Sequence, residues 1–385
     1  MTASALTRPG ERDRISTKVG EIDWRFVILL CLVAGVGGGM LYSVAGGSWE
    51  PWAANHLIRF GVCLTLMLAL SMVNLRIWFG SAYIVYGLAL ILLAAIEIPG
   101  VGYTAMGATR WINLGFTRIQ PSEIMKIGVV LALARYYHGA TAQDARLSWK
   151  LIFPVGIIGL PFLLVAHQPD LGTAMLIGLT GAAMMFMAGL SWKIMAAAGI
   201  AVLGLVPPYI MFGMHDYQRH RVLTFLSPES DPSGTGYHIT QSKIALGSGG
   251  LLGKGFGLGS QSQLEFLPEK QTDFIFAAVS EEFGFVGSFS VLLCYAFIIL
   301  IALRIASLSH SHFGRMASAG VTSTFALYVL INGAMVMGLA PVVGVPMPLL
   351  SYGGTVMLTV MIGFGLVMAT RVHRYAELPK GHGLI

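Results

Sequence analysis

Runs of about twenty apolar residues, separated by short polar breaks, fill most of this chain. An α-helix rises about 1.5 Å per residue, so roughly 20 apolar residues cross the hydrocarbon layer of a bilayer. Ten such runs can be marked, beginning near Arg25, His56, Phe79, Gln120, Lys150, Leu171, Trp192, Phe274, Ala317 and Leu349. The pattern predicts an all-α polytopic membrane protein with about ten transmembrane helices. Residues 1–24 read as a polar N-terminal segment, 25–371 as a single transmembrane domain, and 372–385 as a C-terminal tail. No separate soluble domain fits between the runs, and no internal repeat is visible.

Two breaks are long. Residues 98–119 contain PGVGYTAMGATRWINLGFTRI, and residues 214–273 form a large loop between the seventh and eighth runs. Long connections in compact proteins are either functional or disordered. The second carries Tyr217, Phe225, Tyr237, Ile239, Ile244, Leu251, Leu252, Phe256 and Phe266, too many apolar groups for disorder. It is expected to fold back on the membrane surface, with YHITQSKIALGSGG as an interfacial or re-entrant helix.

Composition agrees: 55% of residues are hydrophobic and 11% charged, with a mean hydropathy of +0.73, whereas soluble domains run near 25% charged. The first apolar run is too long for a cleaved signal segment, so the N-terminus is expected to stay attached and cytoplasmic. Ten crossings return the C-terminus to the same side. With that topology 15 of the 24 Lys and Arg residues fall inside, as the positive-inside rule expects. The formal charge of +6 therefore reports topology and not a nucleic-acid footprint. The nine outside cations are Arg59, Arg110, Arg118, Lys126, Arg219, Arg221, Lys243, Lys254 and Lys270, and all but Arg59 lie in segments 103–126 and 214–273. An anionic partner in the outer leaflet would explain them; so would ordinary loop solubility. Cys31, Cys63 and Cys294 sit inside apolar runs and offer neither a disulfide framework nor a zinc spacing.

Several short stretches carry candidate chemistry. The run GSGGLLGKGFGLGS, 247–260, lacks the glycine and hydroxyl positions of a Walker loop; it reads as a flexible, tightly turning loop whose N–H groups could also cradle a phosphate. In TRWINLGFTRIQPSEIMKIG, Pro121 suits a first helical position. Glu123 and Lys126 then share a helix face, either as a structural pair or lining a polar cavity with Arg110 and Arg118 at its rim and Trp111 as interface anchor or sugar platform. In AHQPDLGTAM, Asp170 is placed to cap the following helix. PVVGVPMPLLSYGGTVM is a second external re-entry that points Ser351 and its neighbours at a buried cavity. FLPEKQTDFIFAAVSEEFGF opens the eighth run with four carboxylates, Glu269, Asp273, Glu281 and Glu282. Thr272 or Asp273 would cap that helix, and a carboxylate held ionised there can also take a proton from a bound hydroxyl. Glu281 and Glu282 would lie about 12 Å deeper along the helix, as partners for bundle cations.

The stretches RWINLGFTRIQPSEIMK, QPDLGT, YQRHRVLTFLSPESDPSGTGYHITQSKIALGSGGLLGKGFGLGSQSQLEFLPEKQTDFIFA and PVVGVPMPLLSYGG together resemble the SEDS family of bacterial peptidoglycan polymerases, its RodA-like branch more than its FtsW-like one. The resemblance spans about Gly107 to Arg371. It implies polymerisation of lipid II into glycan strands on the outer face of the cytoplasmic membrane, beside a class B penicillin-binding protein. It places the family's acidic residue on Asp273, as general base on the acceptor hydroxyl, with inversion at the donor. Substrate contacts are expected from Arg110, Trp111, Arg118, Gln120, Glu123, Lys126, Arg219, Arg221, Lys243, Lys254, Glu269 and Ser351. A divalent cation (Mg or Mn) bridging Asp273 or Glu269 to the pyrophosphate would be the one cofactor. The chain departs from the family pattern at Gln271, commonly His, at Ser227, commonly Asp, and at Gly333–Ala334 after Asn332. Two other readings compete: a transporter that flips the same lipid, and a scaffold that leaves Asp273 dispensable.

Overall fold

The apolar runs form helices in a computed structural model that describes residues 15–98, 100–105, 108–113, 118–140, 149–212, 219, 223–225, 227, 235–267 and 269–379. In chain order these are α1 (Ile15–Gly20), α2 (Trp24–Val44), α3 (Ala53–Ser71), α4 (Leu75–Ala95), α5 (Pro121–Gly139), α6 (Ile152–His167), α7 (Leu171–Met187), α8 (Trp192–Phe212), α9 (Thr235–Ser248), α10 (Ser260–Gln263), α11 (Ile275–Leu308), α12 (His312–Val336) and α13 (Gly354–Val372). The ten main helices begin within five residues of the ten expected starts. Among the described residues seven stretches are long and apolar enough to cross a membrane: α2, α3, α4, α6 with its short lead-in from Trp149, α11, α12 and α13. Helix α7 and the apolar part of α8, Trp192–Leu205, are shorter. Helix α5 carries Glu123, Lys126 and Arg135 and is buried along nearly its whole length, packed by α4, α6, α7 and α12.

One expectation is corrected at once: the chain is not purely helical. An antiparallel sheet is formed by β1 (Gly102–Ala105), β2 (Ala108–Asn113) and β3 (Arg118–Ile119). Tyr103 pairs with Trp111 and Ile112 with Ile119, with a register shift after Tyr103. Tyr, Thr, Trp and Ile favour strands, and the frequent glycines hide that preference when the segment is read as a loop.

A second correction concerns the eighth run. Helix α11 breaks at Gly284, whose backbone (φ 65°, ψ −161°) leaves the helical region. The half-helix before the break ends at Glu282, which accepts a hydrogen bond from Ser43 Oγ at 2.5 Å, and Ser43 lies one residue from the end of α2. Its beginning is tied to Asn332, four residues from the end of α12. The half-helix therefore crosses the end of the bundle, and Glu281 and Glu282 do not descend 12 Å into it.

The glycine run explains the break. A Cβ on Gly284 would collide with the backbone N of Gly253, and one on Gly253 with the carbonyl oxygen of Glu282. With no side chains between them the two backbones join: Lys254 N and Gly255 N donate to Glu281 O and Glu282 O, each at 3.0 Å, and Phe285 N donates to Gly250 O at 2.9 Å. The Glu281 carboxylate takes Gln261 N at 3.0 Å and Lys254 Nζ at 2.6 Å, while Glu282 takes Gly257 N at 3.1 Å. In the loop, the N–H groups of Gly253, Lys254, Gly255 and Leu258 are thus taken by backbone carbonyls and that of Gly257 by the Glu282 carboxylate, which excludes the phosphate-cradle reading for them.

At the opposite end, Arg371 pairs with Asp23 at 2.9 Å and donates to Glu21 O at 2.8 Å. The start of α2 and the end of α13 therefore meet on one side of the bundle. Residues 341–353 form the expected re-entry: Leu349 and Leu350 lie so close to Gly37 in the middle of α2 that a Cβ there would meet their carbonyl oxygens at 2.7 and 2.8 Å.

Candidate functional site

A cavity of about 570 Å3 opens among the N-terminal ends of α5, α7 and α13, the C-terminal half of α12, strand β2, the turn before α11 and the 342–346 segment. It brings together Asp273, Arg110, Trp111, Gln120, Glu123, Lys126 and Glu269, seven of the residues expected from the sequence.

Pro121 begins α5 as expected, with Gln120 as its N-cap. One turn on, Glu123 and Lys126 form a buried ion pair at 2.6 Å. Lys126 Nζ also donates to Tyr328 Oη, and Tyr328 donates to the second Glu123 oxygen at 3.0 Å. The two readings of this pair merge, since it is both a buried structural pair and the floor of the cavity. Asp170 caps α7 by accepting from Thr173 N at 3.2 Å, and its other oxygen takes Gln120 Nε2 at 3.1 Å. Arg110 reaches from β2 across the same turn, donating to Gln168 O at 3.2 Å and to Pro169 O, with Asp170 at 4.0 Å. The sheet and the helix cap are thereby fastened into one wall.

Asp273 is half-buried and lines the same cavity. It is not the helix cap: that position belongs to Phe274, whose side chain makes no capping bond. Upstream, Thr272 N and Phe274 N both donate to Glu269 O, at 3.0 and 3.4 Å, and Thr272 Oγ1 donates to the Glu269 carboxylate at 2.9 Å. Glu269 thus shapes the turn that presents Asp273. Downstream, Asn332 Nδ2 donates to Asp273 O at 2.8 Å and to Val345 O at 2.7 Å.

Other expected residues lie elsewhere. Lys254 is committed to Glu281, and Lys270 donates to Ser262 O at 2.7 Å. Lys243 rests against Gly338 beyond α12. The Ser351 hydroxyl is buried and accepts from Met347 N at 2.8 Å, holding the re-entrant turn and not facing the cavity. Arg219 is exposed. Arg221 and the side chain of Arg118 lie outside the described residues. The outside cations therefore do not all gather at the cavity: Arg110 and Lys126 line it, and Arg59, set apart by its position in the sequence, stands 4.9 Å over the ring of cavity-lining Tyr352. Tyr352, Gly353 and the 342–346 wall line the cavity from the re-entry expected to face one, whereas Tyr328 and His238 carry no signal in a single sequence, because each is an ordinary member of an apolar run or loop. Among the described residues no three His, Cys, Asp or Glu side chains are grouped to hold a metal ion.

A membrane-embedded helical bundle with a polar, carboxylate-bearing cavity at one end defines the class. The chain matches the cell cycle protein family of FtsW, RodA and SpoVE over residues 26–376 and belongs to that family. It is 46% identical to the peptidoglycan glycosyltransferase MrdB of Escherichia coli K12 over 352 residues, 90% of this chain and 93% of that one. Stage V sporulation protein E of Bacillus subtilis is 33% identical, covering 94% of this chain and all of its own. Among solved structures, a chain of a peptidoglycan synthase complex that coordinates polymerization and crosslinking matches with TM-score 0.79 and 29% identity over 92% of this chain and 99% of that one. The rod shape determining protein RodA of Thermus thermophilus matches with TM-score 0.67 and 27% identity, covering 92% and 98%.

Proposed function

We propose that this protein is a peptidoglycan glycosyltransferase that polymerises lipid II into glycan strands during cell elongation, with Asp273 as its general base. The observation that carries the reading is that Asp273 shares one cavity with Arg110, Lys126 and Trp111. The acceptor's sugar hydroxyl gives its proton to the Asp273 carboxylate as its oxygen attacks the anomeric carbon of the donor. The bond from that carbon to phosphate breaks with its electron pair, and the lipid pyrophosphate departs. One displacement inverts an α-linked donor into a β-linked product. A pyrophosphate needs no proton to leave, in contrast to the leaving groups that glycosidases must protonate. It needs positive charge nearby, for which Arg110 and Lys126 are placed.

In this reading ten helices cross the inner membrane, both termini are cytoplasmic, and the cavity and the 214–273 loop face outward. Residues 25–371 act as one domain, and a class B penicillin-binding protein crosslinks the strand. Every helical residue lining the cavity comes from the same end of its helix bundle, which favours a polymerase over a flippase, since flipping needs charges reachable from both leaflets. Purified protein with its crosslinking partner should convert lipid II to strands on a gel, and Asp273→Asn should abolish them while leaving folding and donor binding intact. Full turnover by Asp273→Asn would remove the mechanism.

A further inference from the structure

The structure assigns Asn332 as the positioning residue that sets the Asp273 carboxylate against the cavity wall; the inference rests on Asp273 being the base. Asn332 is fully buried in α12, and its amide spans two segments far apart in sequence. One bond goes to Asp273 O and one to Val345 O. Asp273 precedes α11, whose first turn is closed by Ala277 N on Phe274 O at 3.0 Å. Val345 sits in the irregular 342–346 wall, and the neighbouring Gly344 lies directly beneath the carboxylate, where an added Cβ would stand 3.7 Å from Asp273 Oδ2. One side chain therefore ties the backbone that carries the base to the segment that the base lies against, in addition to the turn held by Glu269. The separation of the two is fixed through one rigid amide.

The residue type argues the same way. Asn is a weak helix former, since its side chain competes for backbone bonds, and its Oδ1 here is buried with no partner among the described residues. A buried acceptor left unpaired costs stability. Among natural side chains of this size, Asn carries an –NH2 that can bond two carbonyls at once; Asp is acceptor-only when ionised and Leu donates nothing. Misplacing a reacting group by about 1 Å can cost about 100-fold in rate.

The experiment uses the full chain with its crosslinking partner and measures kcat and KM for lipid II with Asn332→Ala, Asn332→Ser, Asp273→Asn and Ser242→Ala. Ser242 is a control with a similar bond: its buried hydroxyl donates to Val336 O of the same helix at 2.8 Å, away from Asp273. Asn332→Ala should lower kcat by about 10- to 100-fold with KM unchanged within about twofold, Asn332→Ser, keeping one donor, should fall between, and Ser242→Ala should keep wild-type kcat per folded molecule. If Asn332→Ala does not fold, Asn332→Ser decides on the same criteria. Wild-type kcat in the Asn332 variants, or a loss shared equally by Ser242→Ala, overturns the assignment. If Asp273→Asn also turns over normally, the error lies in the reading of the base; if it alone is dead, the error lies in the role of Asn332.

Discussion

At the scale of single residues, the floor of the cavity is set by three side chains with different histories. Glu123 and Lys126 are legible as partners because three helical residues separate them. Tyr328 joins them from 202 positions away, which no local pattern reveals. Lys126→Met should be strongly destabilising, by about 3–5 kcal/mol, because it leaves the Glu123 carboxylate buried without its cation. The double variant Glu123→Gln/Lys126→Met should recover part of that loss, since no charge then stays buried. Thermal unfolding in detergent compares the two, and a double variant no more stable than Lys126→Met alone would contradict the argument. Asp273 shows where local reasoning stops: a carboxylate at a helix start invites a capping role, yet the helix begins one residue later than the sequence suggests, at an uncapped Phe274. That single-residue offset places Asp273 on the cavity wall.

At the scale of elements, the eighth apolar run reads as one continuous helix because Gly284 is flanked by phenylalanines and valine that fit any apolar span. Hydropathy records composition and not backbone direction. The glycine run likewise reads as flexible, since nothing local says whether glycines serve a turn or make room for another backbone. Here they make room, and flexibility is replaced by a loop pinned on both Glu281 and Glu282. Gly253→Ala puts a side chain at φ 83° against the Glu282 carbonyl, a backbone region that costs non-glycine residues about 1–2 kcal/mol before any clash. Limited proteolysis should then cut between residues 247 and 260 faster than in wild type. An unchanged cleavage rate would show that this contact does not hold the loop.

For the whole molecule, helix starts were readable to within a few residues because a bilayer demands a fixed length of apolar chain. What the helices enclose was legible only in part: the Glu123–Lys126 pair on α5 was, but its partner Tyr328 was not, and the sheet stands where a loop was expected. The proposed topology has a direct check. With Cys31, Cys63 and Cys294 replaced, Leu252→Cys, at a side chain 80% exposed in the glycine loop, should react with a membrane-impermeant maleimide on intact spheroplasts; Tyr375→Cys, 48% exposed beside the end of α13, should not. The opposite labelling would invert the orientation. Beneath Lys126 and Tyr328 lies a space of about 20 Å3, walled mainly by Ile127, Val130, Val321, Phe325, Val360 and Phe364. That is room for about one water molecule, and α5 continues below it as buried apolar residues from Val129 to Ala134. The Glu123–Lys126–Tyr328 cluster and the apolar packing under it therefore close the inner side of the cavity, an arrangement expected to insulate a membrane against proton leak.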